Sequence, residues 1–147
     1  MQISFDLDST LIPHGNEFEA EKSNFLAKIL GVEPIRVGAA KLIFDLQKDG
    51  HTIHIYTTSF RNKIKIRLML FYYGIKVEKI ITQSQNQKTL RSRNINASKY
   101  PPAFGFDLHI DDLKGVEMEG QKLNFKTIIV EPNDENWIEK VKKEISN

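Results

Sequence analysis

Short β-like runs alternate along the chain with longer stretches in which apolar residues recur at helical spacing. The β-like runs are β-branched or aromatic, and polar residues, Gly or Pro bound each of them. This pattern predicts five strands, over residues 3–7, 51–56, 77–82, 108–110 and 126–130. Helical spacing predicts four helices, over residues 17–30, 38–48, 61–73 and 134–145.

The ends of the predicted helices carry recognisable signals. Gly31 and Gly74 are natural helix stops, and Ser59 is a candidate N-cap for the third helix. Residues 63–68 alternate with period two and are also compatible with a strand, but the long apolar stretch after them favours a helix. Residues 84–98 are polar and basic, and we expect a loop there.

Strands that alternate with helices predict an α/β fold, a doubly wound, Rossmann-like, five-stranded parallel sheet with helices on both faces. Such sheets bind ligands beyond the carboxyl ends of their strands. Three of the five predicted strands are followed by polar side chains that can do chemistry, namely Asp6 and Asp8, Thr57 and Thr58, and Asp111 and Asp112. We therefore expect a site where these three strands end.

Composition narrows the class of protein. A chain of 147 residues that is 40% hydrophobic and 27% charged predicts a single domain over residues 1–147. The absence of cysteine excludes a disulfide scaffold, a thiolate metal site and a cysteine nucleophile. The N-terminus has no targeting pattern, and no apolar stretch approaches the roughly 20 residues of a membrane span. The expectation is a soluble, cytoplasmic protein without a membrane segment.

Charge is distributed unevenly. Residues 61–99 carry ten Lys or Arg and one acid, for a net charge of +9, whereas the rest of the chain carries −7. A basic segment within an acidic remainder indicates an anionic ligand or substrate, although a solvated basic face gives the same pattern.

The acidic residues after the first and fourth strands predict a cation site. Side chains two apart at the end of a strand point the same way, so Asp6 and Asp8 would face one point. If Asp111 and Asp112 lie beside them, the cluster needs a divalent cation, and hard oxygen ligands suit Mg²⁺. The alternative is that each group is a turn or cap cluster.

Two further residues are candidates for binding an anion. Thr57 ends the second strand close to a helix start, where a hydroxyl and backbone amides can form an anion pocket, but Thr is also an ordinary strand terminus. Lys99 precedes Tyr100 and two prolines, which restrict the backbone and can fix its direction. Lys88 is the rival for the same role. The chain has no zinc-type His spacing, phosphate-binding P-loop or nucleophile elbow.

In this order, the residues resemble the four motifs of the haloacid dehalogenase (HAD) superfamily. The match consists of Asp6-Leu7-Asp8-Ser9-Thr10 for the DxDx[TV] motif, Thr57 for the second-strand Thr or Ser, Lys99 for the third-motif lysine and Asp111-Asp112 for the acidic fourth motif. The resemblance implies a HAD-like hydrolase domain, and the short spacing between the motifs predicts a minimal cap or none. Dehalogenases lack an Asp two residues after the nucleophile and P-type pumps carry Thr there, so the resemblance with Asp8 leaves a phosphatase or a phosphomutase, of which we expect a phosphatase.

The resemblance also implies a role for each residue in a Mg²⁺-dependent phosphatase. Asp6 would be the nucleophile that forms an aspartyl-phosphate, and Asp8 the general acid/base. The phosphoryl oxygens would be held by Thr57, Thr58 and Lys99. The metal would be held by Asp6, by Asp8 through its backbone carbonyl, and by Asp111 and Asp112, of which Asp112 is the predicted direct ligand.

The number of residues between the motifs indicates what kind of substrate or partner the site can accept. Neither residues 9–56 nor residues 58–98 leave room for an inserted cap domain, so we expect an open site. Such a site would accept a bulky phosphorylated substrate, or be covered by another subunit of a homo-oligomer. The basic segment suits a polyanionic substrate, such as a nucleic acid end or a sugar phosphate.

Two other classes of protein stay open. A receiver domain also forms an aspartyl-phosphate on a doubly wound sheet, but its acceptor Asp follows the third strand, where this chain has Thr82-Gln83. A phosphate-binding module of the same fold without turnover is the second alternative. Phosphorylation without turnover would favour the former, and metal binding without phosphorylation the latter.

Overall fold

The computed structural model describes residues 1–22 and 24–146 and contains one five-stranded sheet in which every neighbouring pair is parallel. The strands are β1 (Gln2–Phe5), β2 (Thr52–Tyr56), β3 (Ile80–Ile81), β4 (Leu108–Asp111) and β5 (Lys126–Ile129). The helices are α1 (Phe25–Leu30), α2 (Ala39–Lys48), α3 (Lys63–Tyr72), α4 (Gln83–Ser92), α5 (Lys114–Leu123) and α6 (Trp137–Ser146). The predicted α/β class with a parallel, Rossmann-like sheet is confirmed.

The strand order β3-β2-β1-β4-β5 places β1 at the centre of the sheet. Phe5 at the end of β1 is in register with Ile55 of β2 and Ile110 of β4. The chain reverses its direction across the sheet between β1 and β4, which is the point where such folds bind ligands. The polar residues that follow β1, β2 and β4 therefore reach one edge of the sheet side by side.

The two faces of the sheet differ in polarity. On one face, apolar residues from all five strands form a single core cluster with α2, α3 and α6; its strand members include Ile3, Phe5, Ile53, Ile55, Ile80, Leu108, Ile110 and Ile128. The other face buries Ser4, His54, Tyr56 and His109. The His54 ring stacks on Phe106 with 4.5 Å between ring centroids. A polar face this deeply buried has to satisfy its groups internally, and its network extends into the site described below.

The third predicted helix is correct, but its cap is not Ser59. Asn62 is the N-cap of α3, and its side chain accepts a hydrogen bond from the backbone N–H of Ile64. The period-two alternation has a simple cause, since α3 is apolar on two opposite sides. Ile66, Met69 and Leu70 are buried, while the outward stripe exposes three apolar side chains, Ile64, Leu68 and Phe71.

The first predicted helix, over residues 17–30, is wrong for its first half. Only Phe25–Leu30 is helical, and Ala20 forms an antiparallel bridge with Arg36 instead. Ser23 lies outside the described residues. Four apolar side chains that predicted this helix are exposed, namely Phe25, Leu26, Ile29 and Leu30, so their helical spacing does not mark a core-facing stripe.

The loop predicted over residues 84–98 is also wrong for most of its length, because α4 occupies Gln83–Ser92. This helix buries only Asn86 and Leu90, so it lacks the apolar stripe by which a helix is recognised. The hydrophobic pattern also predicted no helix between the fourth and fifth strands. The structure has α5 there, and this helix lacks an apolar stripe because it buries only Val116 and Gly120. Within the described part of the chain, the helices are too short and too polar to cross a membrane.

Candidate active site

A tight turn after β1 sets the positions of Asp6 and Asp8. The backbone N–H of Asp6 donates to the carbonyl of Ile110, 2.9 Å away, and so continues the β1–β4 pairing by one residue. The carbonyl of Leu7 then accepts from the N–H groups of both Leu11 and Ile12. Ser9 adopts φ +57, a left-handed conformation that is uncommon for residues other than Gly. The chain thus folds back immediately after the two aspartates.

Three of the four carboxylates predicted to cluster after β1 and β4 converge, and the Asp8 carboxylate is not in the group. Asp6, Asp111 and Asp112 each offer an oxygen, and these three oxygens lie within 4.8 Å of one another. Asp6 and Asp111 are buried and Asp112 is half-buried. Three carboxylates this close repel one another unless cations compensate them.

Lys99 supplies one of these cations. Its side chain is only 2% exposed, and its Nζ lies 2.8 Å from Oδ1 of Asp6 and 2.5 Å from Oδ2 of Asp111. Burial alone would lower the pKa of Lys99, but the charges of Asp6 and Asp111 outweigh it and raise the pKa above its ordinary value. The rival, Lys88, is exposed on α4.

Hydrogen bonds hold Lys99 in place just before a short 3₁₀ helix, Pro101–Phe104. The backbone N–H of Lys99 donates to Glu119 on α5 at 3.2 Å, and the N–H of Tyr100 donates to the Tyr56 hydroxyl at 2.9 Å. The backbone restriction expected from Tyr100 and the following prolines is therefore reinforced by hydrogen bonds from two different elements.

The side chain of Asp111 is fully engaged. Its Oδ2 contacts both Lys99 and Nε2 of His109, and its Oδ1 accepts from the N–H of Leu113 at 2.9 Å. The His109 ring continues the network through Nδ1, which lies 2.9 Å from Oγ of Ser4. Burial alone would raise the pKa of Asp111, but the His109 hydrogen bond and the Lys99 charge hold it below its usual range.

Asp6 and Asp112 retain capacity to bind a cation. Oδ1 of Asp6 is buried and is paired with the Lys99 ammonium 2.8 Å away, and it accepts no hydrogen bond from any other described residue. Asp112 accepts from the Thr10 hydroxyl at 3.3 Å. Burial raises the pKa of Asp6, although Lys99 opposes the shift, and burial together with the Asp111 charge raises the pKa of Asp112. The negative charges of Asp6 and Asp112 are therefore not fully compensated by neighbouring cations.

Thr57 is the buried polar residue after β2. Its N–H donates to the carbonyl of Ile81 at 3.0 Å, and its Oγ1 accepts from the N–H of Ser59 at 3.1 Å. The hydroxyl is used there as an acceptor, so its own proton can be donated to an anion. Thr58 is exposed beside it.

The Asp8 carboxylate is bound by an arginine that the motif search did not single out. Nη1 of Arg61 donates to both oxygens of Asp8, at 2.6 and 2.7 Å. Nε and Nη2 of the same guanidinium bind the two oxygens of Glu33, at 2.9 and 3.0 Å. The Glu33 hydrogen bond is the largest of several contacts that raise the pKa of Arg61 above its ordinary value.

These extra residues leave only indirect signals in the sequence. Arg61 lies four residues after Thr57 at the start of the basic segment, so its position was noticeable but its partner was not. Glu33 follows α1 in a loop with no motif, and His109 was interpreted as a structural residue of the fourth strand. Only the folded chain brings Glu33 and Asp8 to one guanidinium.

The donor set fits a hard divalent cation. Asp6, Asp111 and Asp112 carry three negative charges at full ionisation against the one charge of Lys99. Each of the three aspartates offers one carboxylate oxygen to the cluster, and carboxylate oxygens are the ligands that Mg²⁺ prefers.

Comparisons with known proteins add a fold but no sequence family. No protein-family model matches the chain, and neither does any curated protein sequence. Among solved structures, the HAD domain of the effector protein Lem4 from Legionella pneumophila, an inactive mutant, superposes with a TM-score of 0.54 at 19% identity. That match covers 99% of this chain and 92% of the Lem4 domain.

Two structures of a Pnkp1/Rnl/Hen1 complex, one of them described as an RNA repair complex, match with TM-scores of 0.56 and 0.55 at 15% and 16% identity. The matches cover 88% and 90% of this chain. This chain spans less than half of the matched chains, 45% and 43% of their lengths. At this level of identity the comparisons establish a shared fold, and the fold of this chain is therefore HAD-like.

Proposed function

We propose that the chain is a Mg²⁺-dependent phosphomonoester hydrolase that works through an aspartyl-phosphate on Asp6. The observation that carries the proposal is the convergence of Asp6, Asp111 and Asp112 within 4.8 Å, with the ammonium of Lys99 between two of them. The HAD-like fold and the order of the four motifs support the same chemistry.

Asp6 is the nucleophile in this proposal. Its carboxylate attacks the phosphorus of the substrate, and the bond from phosphorus to the ester oxygen breaks. Lys99 and the Thr57 hydroxyl donate hydrogen bonds to the phosphoryl oxygens, where negative charge is concentrated in the transition state. Asp6 suits this role because its Oδ1 contacts Lys99, the same group that would hold the phosphoryl oxygens, and accepts no hydrogen bond from any other described residue.

Asp8 is the proposed general acid and base. It protonates the departing ester oxygen, then takes a proton from the water that attacks the aspartyl-phosphate and releases inorganic phosphate. Proton transfer by a positioned group typically contributes ~10²–10⁴-fold in rate. The Asp8 carboxylate is about half exposed, so a leaving group in the open mouth of the site can reach it.

The proposed ligands of the metal are the carboxylates of Asp6 and Asp112 and the backbone carbonyl of Asp8, with Asp111 in support. When bound, Mg²⁺ offsets the repulsion between the attacking carboxylate and the phosphate dianion. Asp111 supports the site by fixing the ammonium of Lys99 and the ring of His109.

Hydrolysis of p-nitrophenyl phosphate tests this proposal. Release of p-nitrophenol should require Mg²⁺ and should be abolished by Asp6→Asn. The matched control is Asp49→Asn, which removes an exposed carboxylate at the end of α2. Activity that persists without Mg²⁺ or in the Asp6 variant would refute the mechanism.

A phosphoacceptor or phosphate-binding module without turnover is the second candidate. The observation that favours it is the engagement of both Asp8 oxygens by Arg61, because that carboxylate is then occupied when it should transfer protons. A phosphoprotein that forms from acetyl phosphate and persists for hours would favour this candidate over the hydrolase.

Several expectations about domain organisation, location, substrate and oligomeric state stay predictions. They are a single domain, an open site without a large cap, a cytoplasmic location, a nucleic acid substrate and a homo-oligomer. A structural neighbour belongs to an RNA repair complex, which makes phosphorylated RNA ends a reasonable member of the first substrate panel.

A further inference from the structure

Arg61 occupies both the mouth of the proposed site and the residue that should handle the proton of the leaving group. One guanidinium binds Asp8 through Nη1 and Glu33 through Nε and Nη2, and Nη1 also donates to Oγ of Ser59 at 3.0 Å. The arginine therefore bridges the turn after β1, the loop after α1 and the segment after β2.

This arrangement conflicts with the proposed chemistry unless Arg61 moves or changes partners. Both oxygens of Asp8 lie within 2.7 Å of Nη1, so a leaving oxygen or a water that approaches this half-exposed carboxylate has to compete with the guanidinium. Any productive substrate must draw the guanidinium away from Asp8 or bind in a way that shares it.

The bridge is suited to such an exchange. The Arg61, Asp8 and Glu33 side chains are 28%, 48% and 44% exposed, so solvent and a charged substrate can reach all three members of the bridge. The start of α3 is fixed independently, since Asn62 caps the helix and the N–H of Arg61 donates to Ser59. The side chain can thus change partners without disturbing the helix.

The new partner should be an anion with two acceptor oxygens in one plane. A guanidinium binds carboxylate and phosphate groups through paired hydrogen bonds, and Glu33 already occupies it in this way. The exposed bases Lys63 and Lys65 begin α3 directly after Arg61, which favours a phosphate over a neutral group.

We propose that Arg61 binds a second phosphate group of the substrate and releases Asp8 when it does so, an inference that rests on the proposed function. The preferred substrate is then a phosphomonoester with another phosphate nearby. That second phosphate can belong to a small bisphosphate or to the backbone of a nucleic acid strand, and the two sources share the chemistry that Arg61 recognises.

Turnover supplies the first test. We expect kcat/KM for adenosine 3′,5′-bisphosphate to exceed that for the better of the two adenosine monophosphates by ~10-fold or more, as one charge-assisted contact would give. Arg61→Ala should bring this ratio close to one, and Arg61→Lys should retain part of it. A terminally phosphorylated dinucleotide, compared in the same variants, separates a strand substrate from a small bisphosphate.

Binding supplies the second test and does not require turnover. In Asp6→Asn protein with Mg²⁺, calorimetry should show the same preference for the bisphosphate, lost on adding Arg61→Ala and strengthened by adding Glu33→Gln, which removes the competing carboxylate. Circular dichroism checks that each variant is folded.

The two tests separate the two claims. A binding preference that depends on Arg61, without hydrolysis of any ester, would refute the hydrolase and leave this inference standing. Hydrolysis of aryl phosphate, with a bisphosphate preference that is absent or unaffected by Arg61→Ala, would overturn the inference and leave the hydrolase standing.

Discussion

The ammonium group of Lys99 lies 2.8 Å from Oδ1 of Asp6 in a part of the protein that water scarcely reaches. The same ammonium is 2.5 Å from Asp111, so one buried cation compensates two buried carboxylates from different strands. The electrostatic balance of the candidate site depends on this contact.

Removing Lys99 should destabilise the fold as well as the site. Lys99→Met leaves Asp6 and Asp111 as neighbouring buried carboxylates, and breaking a buried ion pair on one side costs about 3–5 kcal/mol of unfolding free energy. Lys88→Met, the control, removes an exposed lysine on α4 and should change stability by less than ~0.5 kcal/mol. Urea unfolding of both variants decides the matter, and equal midpoints would contradict the ion-pair account.

Substitutions of the adjacent aspartates Asp111 and Asp112 should have different effects on Mg²⁺ binding and on stability. Asp112→Asn should abolish measurable Mg²⁺ binding with little loss of stability, because Asp112 is half-buried and, among the described residues, only Thr10 hydrogen-bonds its side chain. Asp111→Asn should lower the unfolding midpoint, because it disrupts the contacts to Lys99, His109 and Leu113. We expect its Mg²⁺ affinity to fall by about 10–100-fold, the usual effect of losing a residue that orients metal ligands.

Isothermal titration with MgCl₂ and thermal melts of the two variants in parallel measure this difference. If Asp111→Asn abolished Mg²⁺ binding while Asp112→Asn retained it, the assignment of the direct ligand would be reversed.

His54 should make the stability of the protein depend on pH. Burial, with a further contribution from the charge of Lys79, lowers the pKa of His54 from 6.5 to about 4. Both nitrogens of the neutral ring have hydrogen-bond partners. Nδ1 accepts from the N–H of Lys79, and Nε2 lies 2.7 Å from Oε1 of Gln2. Between these two pKa values the unfolded chain binds a proton that the folded chain does not.

The His54 contribution is therefore neutral above pH 6.5, becomes increasingly unfavourable as the pH falls towards 4, and levels off below that. His54→Gln removes this dependence, so wild type and variant should have different slopes of unfolding free energy against pH in that window. Parallel slopes would show that His54 titrates normally in the folded state.

Two glycines of α5 offer a matched pair. A Cβ at Gly120 would lie 2.8 Å from the backbone carbonyl of Phe125 and 3.2 Å from Thr127, so Gly120→Ala should destabilise the protein by ~1–3 kcal/mol. A Cβ at Gly115 meets nothing within 4 Å, and Gly115→Ala should be neutral or stabilise by up to ~1 kcal/mol. Chemical denaturation of both variants checks the packing of α5 on β5, which similar effects of the two substitutions would contradict.

The sheet could be predicted from the sequence because its strands carry strong local signals. β-branched runs bounded by turn residues located all five strands, although the third shrinks from residues 77–82 to Ile80–Ile81. The convergence of Asp6 with Asp112 also followed from topology, since parallel strands end at one edge. The roles assigned to Thr57, Thr58 and Lys99 stay predictions until variants are measured.

The helices were harder to predict because several of them do not follow an amphipathic pattern. α4 turns Asn86 inward, where its amide donates to the carbonyl of Ser98 and its oxygen accepts from Tyr56. A polar residue buried through hydrogen bonds leaves no hydrophobic signal in the sequence. α1 has the opposite problem, because its apolar residues face outward.

The contact between Arg61 and Asp8 could not be predicted for a different reason. It joins residues from separate loops, and long-range pairs of charged side chains leave no local periodicity in a sequence. A basic segment indicates that an anion is bound nearby, but it does not identify which arginine meets which carboxylate.

The most direct test of the account is to find the phosphoryl group on the protein itself. Wild-type protein mixed with an aryl phosphate and Mg²⁺, quenched in acid within milliseconds and digested, should yield a peptide spanning Asp6 whose mass is higher by one phosphoryl group. The modification should be absent when Mg²⁺ is withheld and in Asp6→Asn. Substrate turnover without that modified peptide, or a phosphoryl group located on another residue, would contradict the central claim.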